Sequence, residues 1–194
     1  MAGRLEIDVG GMFAEKSTNL IRKGKRQIYS GKKVVFLKPA IDGRYSDNAV
    51  VTHDGIEHKA INVKIFSGFP VGDKPQLQQL SRLVKVRSAD VVCIDEIQFF
   101  PEAILPMIEE LLYQGKDVYC AGLDMDRFGK PFGIVPYLMA KAEVVTKHHA
   151  VCNFCGDDAW VSVGKDSLVN TEQVNIGNEY TPACRTCAEK VGIK

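Results

Sequence analysis

The sequence predicts an α/β fold: helices wrapped around a parallel sheet, followed by a small cysteine-anchored unit. Three observations carry this expectation. Short apolar runs alternate with segments of helical period from residue 5 to about residue 149, the order of repeated βα units. The runs at 91–94 and 118–121 are continuously apolar, as in strands buried on both faces. Beyond residue 150 the alternation stops, and two C-x-x-C pairs, Cys152/Cys155 and Cys184/Cys187, bracket short strand and turn patterns. The expected division is a nucleotide-binding α/β core over 1–149 and a metal-binding unit over 150–194.

The elements follow in order. Leu5 to Val9 reads as a first strand, and Lys16 to Ile28 as a helix with Leu20, Ile21 and Ile28 inward and Arg22, Lys23, Lys25 and Arg26 on a solvated face. Between them lies Gly10-Gly11-Met12-Phe13-Ala14-Glu15-Lys16-Ser17-Thr18. Strand, glycine turn, Lys-Ser/Thr and helix is the order of a phosphate-binding loop: backbone N–H groups face the phosphates, a lysine adds charge, and a hydroxyl serves Mg²⁺. Gly10, Lys16 and Ser17 fit G-x-x-x-x-G-K-[ST], whereas Glu15 stands where the second glycine is usual. Lys33 to Leu37 reads as a second strand, and the loop after it places Asp42 and Arg44 where they could meet charged ligand groups at the ligand edge of the sheet, although spacing alone favours plain turn chemistry at Asp42-Gly43. His53 and Asp54 read as a surface turn, Val63 to Phe66 as a short strand, and Pro75 to Val86 as a helix.

Val91 to Ile94 ends abruptly in Asp95-Glu96. The first carboxylate is placed to hold Mg²⁺ and the second to act as a general base. A helix is expected from Gln98-Phe99-Phe100-Pro101 to Tyr113, kinked at Pro106 and stopped by Gly115. Val118 to Ala121 leads into a loop, 122–133, whose aromatics and charges could flank a base. A short helix at Val135 to Lys141 and a last core strand at Glu143 to Lys147 complete the core. Cys93 and Cys120 fall inside strands and read as packed thiols.

Four thiolates in two C-x-x-C pairs complete a closed tetrahedral site, the pattern of structural rather than catalytic Zn²⁺. His148 and His149 lie just before the first pair but are not needed as ligands. The segment between the pairs, with Gln173 to Tyr180, reads as a loop tied at its foot and able to close over a ligand. Twenty-five basic against 24 acidic residues give a net charge of +1, which argues against a nucleic-acid or membrane partner. No apolar run reaches transmembrane length, and Arg4, Glu6 and Asp8 break the N-terminal region where a signal peptide would be apolar. A cytoplasmic location is expected.

Taken together, Gly10-x-Met12-Phe13-x-x-Lys16-Ser17-Thr18, Asp42-Gly43-Arg44-Tyr45-Ser46, Asp95-Glu96-x-Gln98-Phe99-Phe100, Gly122-Leu123-Asp124, Lys130-Pro131-Phe132-Gly133, the four cysteines, and Ile176-Gly177 with Tyr180 resemble the type II, zinc-containing thymidine kinases over nearly the whole chain. The resemblance implies a RecA-like P-loop core, a small zinc domain, and a lasso loop closing over thymidine. It implies transfer of the γ-phosphate of ATP to the 5′-hydroxyl of thymidine or deoxyuridine, with Glu96 as the base. Gly10 to Thr18, Asp42, Arg44, Asp95 and Gln98 would serve ATP and Mg²⁺. Met12, Phe99, Leu123, Phe128, Gln173, Val174, Asn175, Ile176, Gly177 and Tyr180 would hold the nucleoside. A homotetramer inhibited by thymidine triphosphate is typical of the family.

Three departures from the family pattern bear on these expectations. Glu15 would either face the phosphates or force a strained backbone, and on either count weaken donor binding. That opens an alternative, a family member that binds thymidine or its nucleotides with impaired transfer. Asp126-Arg127-Phe128 stands where Asp-Phe-Arg is frequent, displacing the aromatic by one position, and Gly177-Asn178 replaces a pair of glycines. A third reading, a zinc-ribbon ATPase acting on nucleic acid, predicts a basic surface that the charge does not supply.

Overall fold

A computed structural model describes residues 1–40, 49–51, 55–63, 84–164 and 180–192. Ten strands and five α-helices lie among these residues. The strands are β1 (Leu5–Gly10), β2 (Val34–Pro39), β3 (Ala49–Val51), β4 (Glu57–Lys59), β5 (Ile61–Val63), β6 (Val91–Ile94), β7 (Asp117–Gly122), β8 (Val144–His148), β9 (Val161–Gly164) and β10 (Tyr180–Ala183). The helices are α1 (Lys16–Tyr29), α2 (Val84–Arg87), α3 (Ile104–Tyr113), α4 (Val135–Lys141) and α5 (Arg185–Lys190).

Six strands form the main sheet in the order β5-β2-β6-β7-β1-β8, and every pairing in it is parallel. Strand alternation sorts the core into two layers. Val92 and Ile94 of β6 join Leu5, Ile7 and Val9 of β1 beneath Ile104, Ile108 and Leu111 of α3 and Leu138 of α4. Val91 and Cys93 face the other way, with Phe36 and Tyr119, onto Leu20 and Ile21 of α1. Each large aliphatic side chain so buried contributes about 1.5–3 kcal/mol. Cys93 and Cys120 are fully buried, as expected, and burial pushes both thiols far up.

Several boundaries differ from the sequence expectation. Residues 97–99 form a 3₁₀ turn, and α3 begins only at Ile104. Pro101 therefore lies outside the helix. Pro106 falls in its first turn, where a backbone N–H has no intrahelical acceptor, so it removes no helical bond. Gly115 does stop the helix: at φ 80° it donates to Leu112 O at 2.9 Å while Lys116 donates to Leu111 O at 3.0 Å, a Schellman pair. Ile28 is 40% exposed rather than packed, and Lys23 turns inward onto Glu6 and Asp8 instead of lying on a solvated face. The strand expected at 63–66 is described only as β5, ending at Val63, and the helix expected at 75–86 only from Val84. Their remaining residues lie outside the described ones, as do His53 and Asp54.

Past β8, β9 and β10 pair antiparallel. With Cys152, Cys184, Cys187 and Ala188 they form a separate apolar cluster.

Candidate active site

All strands of the main sheet run the same way, so their carboxyl ends make one edge, where ligands of open α/β sheets bind. β1 delivers the glycine loop to this edge, β6 delivers Asp95-Glu96, and β7 between them delivers Leu123-Asp124. Gly10 makes the exit from β1 possible. Its φ is 142°, and a Cβ there would lie 2.2 Å from the carbonyl oxygen of His148 on the adjacent β8.

The loop and the acidic strand end meet directly. Ser17 Oγ donates to Asp95 Oδ1 at 3.0 Å, and Lys16 Nζ donates to Gly11 O at 2.5 Å. Asp95 is buried. Burial, with the Glu96 carboxylate second, raises it from 3.8 to about 7, against the bonds from Glu96 N–H and Ser17 and the charge of Lys16. A hydroxyl and a carboxylate held together are hard oxygen donors, the set a divalent cation of the Mg²⁺ type takes. Glu96 adopts a left-handed backbone, φ 48° and ψ 44°, unusual for a residue with a Cβ and frequent at functional positions. Gln98 Nε2 donates to Glu96 Oε2 at 2.5 Å, and Gln98 Oε1 accepts from Leu123 N–H at 3.0 Å. Gln98, expected among the nucleotide ligands, thus braces Glu96 against the exit of β7.

Glu15 is exposed and left-handed, with φ 55° and ψ 22°, and it caps α1 without a side-chain bond. Of its two expected consequences, the structure shows backbone strain. Phe13 is likewise left-handed, at φ 64°, and partly exposed, while Met12 and Ala14 are buried. Thr18 occupies the first turn of α1. Below the loop, fully buried Asp8 accepts from Asn19 Nδ2 at 2.7 Å, lies 2.8 Å from His148 Nε2, and pairs with Lys23 at 3.0 Å.

Around the crevice, Leu123 and Phe128 are half-buried, and the half-buried ring of Phe99 meets Phe132 edge-on with centroids 5.9 Å apart. Tyr180 opens β10. Asp42, Arg44, Gln173, Val174, Asn175, Ile176 and Gly177 lie outside the described residues. Ser162, which the sequence reading did not single out, accepts from Met12 N–H at 2.7 Å. It sits 150 residues away on β9, and no local pattern marks it.

The four sulfurs of Cys152, Cys155, Cys184 and Cys187 lie within 4.8 Å of one another, with Cys155 and Cys184 3.6 Å apart. Zn–S bonds of about 2.3 Å in a tetrahedron need sulfur separations of about 3.8 Å, so the set fits one zinc ion. Burial acts to raise the Cys152 thiol, but backbone N–H groups of Cys184, Phe154 and Cys155 overcome it and bring it to about 6. The histidines are engaged elsewhere, His148 with Asp8 and His149 Nδ1 with Ala159 O at 3.0 Å.

A phosphate loop whose hydroxyl meets one strand-end carboxylate, with a second braced beside it, defines a P-loop phosphotransferase. The thymidine kinase family model matches residues 3–188. The chain is 40% identical over 187 residues to a thymidine kinase of Bacteroides thetaiotaomicron, covering 95% of this chain and 86% of that protein. It is 43% identical over 157 residues to a thymidine kinase of Coprothermobacter proteolyticus, covering 81% and 73%. The chain belongs to the thymidine kinase family. No helix among the described residues is long and apolar enough to cross a membrane.

Proposed function

We propose that the protein transfers the γ-phosphate of ATP to the 5′-hydroxyl of thymidine, or of deoxyuridine, yielding the 5′-monophosphate. The observation that carries this is the 3.0 Å bond between Ser17 and Asp95, with Glu96 next in the chain. It joins phosphate loop and base in one crevice. Phosphoryl transfer asks a protein mainly for positioning and charge compensation. Lys16 and the N–H groups of residues 10–18 supply compensation for the donor phosphates, and Arg44, with Asp42 supporting its loop, would add charge at the transferring group. Glu96 takes the hydroxyl proton, its carboxylate held through Oε2 by Gln98. Ser17 and Asp95 would hold Mg²⁺, which when bound neutralises charge developing between the donor phosphates. Met12, Leu123, Phe99, Phe128 and Tyr180 border the nucleoside, with Gln173 to Gly177 closing over it.

The cysteine set would hold Zn²⁺ structurally, fastening the unit 150–194, and a cytoplasmic homotetramer is the assembly that the family resemblance favours. A coupled assay with thymidine and ATP tests the reading. Glu96→Gln is expected to lower kcat by about 10²–10⁴-fold with little change in thymidine binding. A wild-type protein inert toward thymidine, or a Glu96→Gln variant with full kcat, overturns it.

A further inference from the structure

The loop after β7 carries a buried cation that the transfer chemistry does not use. Arg127 is 3% exposed, yet its Nε and Nη2 have no hydrogen-bond partner among the described residues. A guanidinium taken from water without acceptors is unfavourable. Two carboxylates of the same loop are partly engaged: Asp126 Oδ1 accepts from the N–H groups of Phe128 and Lys130 at 2.9 and 3.0 Å, and Asp124 Oδ2 pairs with Lys147 at 2.8 Å, while Asp124 Oδ1 has no hydrogen-bond partner among the described residues.

Strand β9 fixes where those idle donors lie. Ser162 and Gly164, two residues apart, share one face of the strand. Ser162 holds the N–H of Met12 in the phosphate loop. A Cβ on Gly164 would stand 3.1 Å from Arg127 Nη2 and 3.2 Å from Cζ. The same strand face therefore spans from the phosphate loop to the guanidinium, about 7 Å further along. Gly164 is also the register partner of Tyr180, and Arg127 Cζ lies 5.5 Å from the Phe128 ring centre. Arg127 thus belongs to the wall where the nucleoside is read above, beyond the phosphates.

We propose that Arg127 determines nucleobase specificity by donating Nε–H and Nη2–H to a ring carbonyl oxygen of a dioxopyrimidine. This rests on the thymidine kinase reading. Nε and Nη2 form one edge of the guanidinium fork, and a carbonyl oxygen with two lone pairs can take both. The acceptor is neutral because Asp124, Asp126, Arg127 and Lys147 cancel in formal charge, leaving no surplus to draw an anion. An amino group at the same ring position would oppose donor to donor, so cytosine is disfavoured there.

Steady-state kinetics of the wild type, Arg127→Met and Arg127→Lys with thymidine, 2-thiothymidine and 4-thiothymidine test this, since sulfur is the weaker acceptor. Arg127→Met is expected to raise the thymidine KM about tenfold to hundredfold, with kcat within about threefold. The wild type should discriminate against one thio analogue, identifying the carbonyl, and Arg127→Met should lose that discrimination. Arg127→Lys keeps a charge and a donor, should fall between, and carries the comparison alone if the methionine variant does not fold. An unchanged KM, or equal thio penalties in wild type and variants, overturns the inference while the kinase reading stands. A wild type inactive on thymidine removes both.

Discussion

Replacing Glu15 by alanine and by glycine separates its charge from its backbone. The residue sits at φ 55°, a conformation that costs a residue with a Cβ about 1–2 kcal/mol. Alanine keeps that strain and removes the carboxylate. Glycine removes both, at an entropic cost of about 0.5–1 kcal/mol in the unfolded chain. Glu15→Gly should therefore be more stable than Glu15→Ala by about 0.5–1 kcal/mol, or roughly 1–4 °C in Tm for a chain of this size. The charge effect is read from ATP affinity in Glu15→Ala. A carboxylate 4 Å from a phosphate charge costs about 4 kcal/mol at an effective dielectric of 20 but only about 1 kcal/mol in water. Because Glu15 is exposed, the lower figure applies, and ATP affinity should rise about fivefold. Differential scanning fluorimetry and nucleotide titration measure the two quantities. A gain in ATP affinity of a hundredfold or more would show that the carboxylate faces the phosphates. A glycine variant no more stable than the alanine variant would refute the strain argument.

Three further outcomes are expected. The folded-state value of Asp95 is raised above its unfolded 3.8 to about 7, so the charged form is penalised on folding and stability drains away as pH rises between those values. Asp95→Asn should flatten this dependence in thermal melts, and Mg²⁺ should stabilise the wild type at pH 8 but not the variant. Stripping zinc with a chelator, or Cys184→Ser, should loosen the region of Trp160, whose ring lies 4.1 Å below the Arg185 guanidinium. As the only tryptophan, Trp160 reports this by fluorescence, and an unaltered spectrum on zinc loss would count against a metal-built lobe. Ser162→Ala leaves the Met12 N–H without its acceptor and should cost about 1 kcal/mol while weakening ATP binding. A variant equal to wild type in both respects would show that water replaces the hydroxyl.

What the chain announced locally, the structure returned locally. The β6 strand is Val91 to Ile94 as its unbroken apolar run requires, and Val135 to Lys141 forms the helix expected there. The meeting of Ser17 with Asp95 and the clustering of the four cysteines were legible because phosphate and metal chemistry would need those residue types at short, fixed spacings. The entry to α3 was misread because proline and aromatic residues suit a 3₁₀ turn as well as a helix start. Lys23 was misplaced because period alone cannot show that a buried carboxylate, Asp8, waits beneath the helix. The placements of Gln98 and Ser162 were hidden for one reason: each is defined by a partner from another part of the chain, and pairings at such separations leave no mark in local sequence.

The bond from Met12 to Ser162 also has a consequence in time. A ribosome adding about 5–20 residues per second makes Met12 roughly 8–30 s before the serine 150 positions later. Through that interval the nascent chain carries the glycine turn without the hydroxyl that fastens it. The turn acquires the full set of bonds seen in the structure only once β9 has emerged and packed against it.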